Sequence, residues 1–214
     1  MVLRFGDSCH LFDVSRETLE RLETYEKLLL QWQRVKNLVA PSTLSQIWQR
    51  HFADSLQLLA LAPTALRWVD IGSGAGFPGI VIAASLADRP GAVVHLIESD
   101  SRKCAFLREA ARQLAAPAVV HNARAETMIA DLDPVDVVTA RAVAPLQTLI
   151  KLALPLLHGG AVGLFPKGRG YRSELTDFVL PQKFQLDIAP SLTENEAAII
   201  ILRGTSATTL APNP

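Results

Sequence analysis

The residues of this 214-residue chain best suited to chemistry lie between Val69 and Glu98. Val69-Asp70-Ile71-Gly72-Ser73-Gly74-Ala75-Gly76-Phe77-Pro78-Gly79 leads from a short apolar run through a glycine-rich turn into a helical pattern. Glycines in such a turn accept positive φ and let backbone come close to a ligand. Gly74-Ala75-Gly76-Phe77-Pro78-Gly79 also satisfies the dinucleotide pattern G-x-G-x-x-G, so the motif alone admits either a nicotinamide dinucleotide or S-adenosylmethionine.

Two physical details separate these cofactors. Asp70 ends the strand where a dinucleotide would bring its pyrophosphate to the helix N-terminus. At about 4 Å and an effective dielectric near 20, that repulsion is on the order of 4 kcal/mol before screening. S-adenosylmethionine has no phosphate and carries ammonium and sulfonium cations, so the same aspartate favours it. The glycine run also begins at Gly72, in the register Asp-x-Gly-x-Gly-x-Gly, whereas a dinucleotide reading from Gly74 starts too far from the strand. Glu98 closes the next strand about twenty residues on, the interval at which an acidic side chain meets the ribose hydroxyls of an adenosine. Asp70, Gly72, Gly74, Gly76 and Glu98 are therefore expected to bind S-adenosylmethionine in a methyltransferase.

The methyl acceptor is narrowed by what is missing. Methylation of an exocyclic amine calls for an Asp/Asn-Pro-Pro-aromatic turn after the fourth strand, where this chain has Thr139-Ala140-Arg141-Ala142-Val143-Ala144-Pro145. Methylation of a pyrimidine carbon needs a thiolate nucleophile, and neither Cys9 nor Cys104 is placed for it. Acceptors with a free lone pair remain, such as guanine N7, or a hydroxyl or carboxylate. For N7, alignment suffices and no general base is expected. A nicotinamide-dependent oxidoreductase is the rival enzyme class, and a catalytically silent RNA-binding scaffold the rival non-enzyme.

Cations cluster locally at Arg34 and Lys36, Arg50 and His51, Arg102 and Lys103, Arg124, Arg141, and Lys167, Arg169 and Arg172. Phe165-Pro166-Lys167-Gly168-Arg169-Gly170-Tyr171 has the composition of a phosphate-contacting loop, and equally that of a solvated loop. His51 and Asp54, three apart on one helix, are candidates to orient a substrate, although a packed His51 is the simpler reading.

These residues must be held by an α/β scaffold. Short apolar runs at 66–71, 92–98, 118–121, 135–139 and 161–166 alternate with helical patterns, which predicts a mostly parallel sheet covered on both faces. Runs at 183–188 and 197–202 follow without an intervening helix and predict a closing antiparallel hairpin. Before them, Ser15 caps a predicted helix reaching Lys36, and Ser42 a second, continuous one reaching Pro63. The expected organisation is one structural domain, with a helical extension over 1–63, a Rossmann-like core over 64–204 and a frayed tail over 205–214.

Composition sets limits on function. Formal net charge is zero, so nucleic acid must be held by local clusters rather than by an overall field. Two cysteines without metal-ligand spacing predict neither a metal site nor a disulfide framework. No apolar stretch is long enough to span a membrane and no signal-peptide core is visible, so a cytoplasmic location is expected, with no membrane partner. No feature suggests a protein partner, and a monomer is expected.

With these residues assembled, the chain resembles the bacterial small-subunit ribosomal RNA methyltransferases of the RsmG family, also called GidB or glucose-inhibited division protein B. The resemblance runs from about Leu28 to Leu202. It is carried by Trp32 through Asn37-Leu38-Val39, His51-Phe52-Ala53-Asp54-Ser55-Leu56, the glycine loop, Arg102-Lys103 with Phe106-Leu107, Arg124-Ala125-Glu126, Arg141-Ala142 and Lys167-Gly168. It implies a class I methyltransferase fold, a seven-stranded sheet with an N-terminal helical extension. It also implies transfer of a methyl group from S-adenosylmethionine to N7 of a guanosine in the decoding-region loop of 16S rRNA, presented as RNA or as the small ribosomal subunit. By the family's pattern Gly72 and Phe77 line the methionine and adenosine pocket, Ala125 and Glu126 meet adenine, Glu98 faces the ribose, and Arg141 closes the cofactor site beside the target base as a positioning residue. Asn37, His51, Asp54, Lys167 and Arg169 become candidate RNA contacts. The chain departs from the pattern at Phe77, where the family commonly has Leu, at Glu98, where it often has Asp, and at Val143, where Phe is frequent.

Overall fold

A single seven-stranded sheet organises the computed structural model, which describes Phe12, residues 14–142 and residues 144–205. Strands β1 (Arg67–Ile71), β2 (Val93–Glu98), β3 (Ala118–Asn122), β4 (Val137–Thr139) and β5 (Val162–Lys167) run parallel in the order 3-2-1-4-5. Strand β7 (Ala198–Gly204) lies antiparallel between β5 and the edge strand β6 (Phe184–Pro190). The mostly parallel sheet and its closing hairpin are those expected. Cys9, Val143 and the tail over 206–214 lie outside the described residues.

Alternation along each strand distributes its side chains between two cores. Trp68 of β1 and Val137 of β4 join one apolar cluster with Ile80 of helix α3 (Gly79–Ser85) and Phe106 of α4 (Ser101–Gln113). Val69, Ile71 and Val138 point the other way, into a cluster with Leu149 and Ile150 of α6 (Leu146–His158). Both faces are thus covered, which is why the strands read as nearly continuous apolar runs.

The N-terminal extension shares the first of these cores. Ser15 Oγ accepts from the Thr18 N–H at 3.1 Å and caps α1 (Arg16–Gln33), a contact worth about 1 kcal/mol. Leu22, Tyr25, Leu28 and Leu29 bury one stripe of α1 against α3 and α4, and Arg21 grips Asp88 with both guanidinium nitrogens at 2.7 and 2.8 Å.

The second predicted helix is corrected. Instead of one α-helix starting at Ser42, the chain forms a 3₁₀ turn over Pro41–Gln46, a π-helical turn over Trp48–Ala53 and only then α2 (Asp54–Leu61). Pro41 sits at the first turn and the Thr43 hydroxyl donates to the Ala40 carbonyl at 2.8 Å, which tightens the start. The wider turn that follows carries His51, and long-range partners of this segment outweigh regular helical spacing. π-turns of this kind are frequent where a helix serves a site.

Crossovers from β1 and β4 leave toward opposite sides of the sheet, opening a crevice at the strands' C-terminal ends, the place where open α/β sheets bind ligands.

Candidate cofactor and acceptor site

The glycine loop fills one side of that crevice. Gly72, Gly74 and Gly76 have φ of 67°, 57° and 90°, and the N–H groups of Gly72 and Ser73 both donate to the Ile97 carbonyl, at 2.8 and 3.0 Å. The loop is thereby pinned to the end of β2. A Cβ on Gly76 would lie 2.6 Å from both Ile80 Cγ1 and Tyr25 Oη, so this glycine is required by packing beneath the loop. Gly72, Gly74 and Phe77 line a cavity of about 460 Å³. Gly76 is not part of that lining and supports the loop from beneath.

Asp70 is also placed differently from the expectation. It is buried under the loop, where Oδ2 accepts from the Gly79 N–H at 3.1 Å and so caps α3, while Oδ1 has no partner among the described residues. It does not line the cavity and acts on a ligand there only through its field. Burial raises its carboxyl to about 7, against the nearby Ser73 hydroxyl, which donates to the Asp70 backbone carbonyl at 3.0 Å, the Gly79 hydrogen bond and the field of Arg141.

Glu98 sits where expected. Its Oε2 accepts from the Gly74 N–H at 3.0 Å and Oε1 from the Asp100 N–H at 2.8 Å, so the side chain ties β2 to both neighbouring loops. A carboxylate offers about four acceptor positions, so about two are left over on the cavity side. Ala125 and Glu126, at the start of the short helix α5 (Ala125–Met128), line the far wall.

Arg141 follows β4 and forms the opposite lip. Nη1 donates to Asp54 Oδ2 and to the Arg50 carbonyl, each at 3.1 Å, and Nη2 to His51 Nδ1 at 2.8 Å. The guanidinium also lies over the Phe77 ring, 5.3 Å from its centroid, and the His51 ring stacks on the same phenyl at 4.8 Å. Ala142 beside it takes φ 55°, left-handed strain costing about 1 kcal/mol that these contacts sustain. Because His51 Nδ1 accepts from Arg141, its proton is on Nε2, which faces Thr43 Oγ1 at 3.0 Å. Burial, then the charges of Arg141 and Arg50, push the imidazole down to about 3, so it stays neutral and keeps that tautomer.

His51 and Asp54 thus support Arg141. Asp54 Oδ1 further accepts from Gln57 Nε2 at 2.8 Å and Thr193 Oγ1 at 3.0 Å, linking α2 to the β6–β7 connection. Asn37 is exposed and outside the cavity, although its neighbours Leu38 and Val39 form part of the wall, held by Gln33 Oε1 at 2.8 and 3.1 Å. The proposed phosphate loop needs correction. Lys167 is only 9% exposed and its Nζ binds Glu174 Oε2 at 2.8 Å and the Ala144 carbonyl at 3.0 Å, while the exposed Arg169 faces Glu196 at 3.5 Å. Glycines and cations suggested an open loop because the carboxylates that occupy the cations are distant in sequence or carried by the next helix.

Tyr25 was missed. Its hydroxyl donates to the Ala75 carbonyl inside the core, so α1 fastens the glycine loop from below. The available signal was a tyrosine within the stripe Leu22-Tyr25-Leu29, a polar tip among residues bound for the interior.

The family model described as rRNA small subunit methyltransferase G matches residues 18–197. The chain belongs to that family. Proteins named ribosomal RNA small subunit methyltransferase G from Methylorubrum populi and Parvibaculum lavamentivorans are 52% and 48% identical to it over 188 and 195 residues. These alignments cover 88% and 91% of this chain and 89% and 86% of those proteins. Among solved structures, TrmN from Thermus thermophilus superposes with a TM-score of 0.56 at 20% identity over 73% of this chain and 49% of its own. A point mutant of MtNAS in complex with S-adenosylmethionine gives 0.56 at 18% identity over 94% and 83%. At such identities the structural likeness speaks to the fold alone, that of class I methyltransferases.

Proposed function

We propose that the protein transfers a methyl group from S-adenosylmethionine to N7 of a guanosine in the decoding-region loop of 16S rRNA, acting in the cytoplasm as a monomer on the RNA or the small ribosomal subunit. Family membership makes it an S-adenosylmethionine-dependent methyltransferase of small-subunit rRNA. The finer assignment is supported by one observation: Arg141 and His51 line the same cavity as Glu98, Ala125 and Glu126, and the Nδ1 lone pair of His51 is already spent on Arg141.

The residues present suit the cofactor. A cavity of about 460 Å³ is within the range that encloses a nucleoside-sized molecule. The loop supplies positive-φ glycines without a Lys or Arg to hold a pyrophosphate, Glu98 retains acceptor capacity, and the ionised form of Asp70 favours a cation. Ala125 and Glu126 would flank the adenine. When bound, S-adenosylmethionine supplies an electrophilic methyl group on a sulfonium.

The chain contributes alignment. Arg141, fixed by Asp54, His51, the Arg50 carbonyl and the Phe77 ring, is a rigid lip of the cavity and would position the acceptor beside the cofactor. N7 of guanine carries its lone pair without a proton to lose, so positioning accounts for the rate without a general base. A neutral His51 is consistent with this, because its lone pair is spent on Arg141 rather than directed at a substrate proton.

Incubation with labelled S-adenosylmethionine and unmodified small subunits, or their RNA, followed by nucleoside digestion and mass spectrometry tests cofactor, acceptor and atom together. New 7-methylguanosine is the expected product. Methyl transfer to another nucleoside, or none to either RNA form, would overturn the acceptor assignment.

A further inference from the structure

Next to the cofactor cavity lies a wider one of about 640 Å³, walled by Lys36, Ser99, Asp100, Arg102 and Arg124 among others. The two cavities share Ser99, Ala123 and Arg124, and are one continuous surface. Asp100 is the carboxylate of the wider wall and is fully engaged. Oδ2 accepts from Lys36 Nζ at 2.8 Å, and Oδ1 accepts from the N–H groups of Arg102 and Lys103 at 2.8 and 3.1 Å. What remains are the charged ends of Arg102 and Arg124 and, on the wall of the cofactor cavity alone, Lys103. None of the three has an ion-pair or hydrogen-bond partner for its side chain among the described residues. Arg50, Lys167 and Arg169 each face a carboxylate.

We propose that Arg102, Arg124 and Lys103 form the surface that holds the phosphate backbone of the substrate RNA beside the target nucleotide. This rests on the rRNA methyltransferase reading above. Arg102 and Arg124 share the wider wall and Lys103 stands on the adjoining wall of the cofactor cavity, so their like charges are relieved by an anion bound along that surface. The guanidinium forks match phosphate oxygens bidentately. The wall is broad and joins the cofactor cleft, as a polymer strand running away from the reacting base requires. Formal net charge is zero, so affinity for a polyanion must come from such a local surplus.

The test is binding of small-subunit rRNA across about 50 to 200 mM salt, with S-adenosylmethionine affinity measured separately by calorimetry. For Arg102→Gln we expect the slope of log K against log[salt] to become shallower by about 0.7 to 0.9, with a further step of similar size on adding Arg124→Gln. Cofactor affinity should be unchanged in Arg102→Gln, and Arg102→Lys should restore the slope. An unchanged slope in the double variant overturns the proposal. So does a tenfold loss of cofactor affinity in Arg102→Gln with the RNA slope intact, which would give the cavity to the cofactor's carboxylate. Wild-type 7-methylguanosine formation separates the two levels. Normal methylation with an unchanged slope refutes the surface alone, whereas lost slope in the variants without wild-type methylation upholds the surface and refutes the reaction.

Discussion

Arg141 and Asp54, 87 residues apart in the chain, meet at 3.1 Å and join the lip of the methyltransferase core to the helical extension. Their side chains are each 18% exposed, so the pair is less screened than a surface bridge. Asp54 also holds Gln57 and Thr193.

Asp54→Ala should therefore lower stability by about 2 kcal/mol, the scale of lost hydrogen bonds to a charged group. Methyl transfer should fall further than cofactor binding, because Arg141 loses its anchor while the Glu98 wall is untouched. Urea unfolding and single-turnover methylation measure the two effects. Equal loss of cofactor affinity and of transfer would contradict the division of roles.

Gly76→Ala should cost on the order of 3 kcal/mol, combining a left-handed backbone with overpacking against Ile80 and Tyr25. The damage should appear in thermal unfolding without ligand, since Gly76 supports the loop from beneath. Gly74→Ala has only the Gly72 carbonyl within reach, at 3.8 Å, and should be milder in stability than in cofactor binding.

Asp70 and His51 oppose each other in their pH dependence. The His51 imidazole is lowered from 6.5 to about 3 in the fold, so the unfolded chain binds the extra proton and stability is lost as pH falls below 6.5. The Asp70 carboxyl is raised from 3.8 to about 7, so the folded chain binds the extra proton and stability is lost as pH rises from 3.8 through 7. Between 3.8 and 6.5 the two slopes cancel. Asp70→Asn should expose a loss toward acid, and His51→Gln a gain, each approaching about 1.4 kcal/mol per pH unit relative to wild type. Urea titrations at three pH values read this directly, and parallel profiles in all three proteins would refute it.

Lys167→Ala should destabilise the fold by roughly 2 kcal/mol by removing the charged partner of Glu174, which keeps only the Leu146 N–H, and the donor to the Ala144 carbonyl, and should leave the salt dependence of RNA binding as in wild type. A shallower slope would return Lys167 to the RNA surface.

The fold was largely legible because its signals are local. Seven apolar runs of strand length lie near the observed strands, and the order of helical and non-helical connections separates the parallel strands from the hairpin. The glycine loop and Glu98 were legible for the same reason, being set by register within one β-α-β unit. The Arg141 cluster was not, since its members come from the π-turn, α2 and the loop after β4, and spacing says nothing about which distant side chains meet. Lys167 was hard to place in the same way: its residue type fits a ligand role, and only the position of Glu174 shows it engaged, while the Gly79 N–H accounts for one of the two Asp70 carboxylate oxygens.

The Tyr25 hydroxyl on the Ala75 carbonyl makes the first helix a fastening of the cofactor loop. A core cut free at residue 64 would leave that carbonyl and the undersides of Phe77 and Phe106 bare, so the generic cofactor-binding half of this enzyme is not a detachable module. Grafting the sheet onto another substrate-recognition unit would have to bring α1 along, and inherited changes in α1 would reach methyl transfer without touching either ligand.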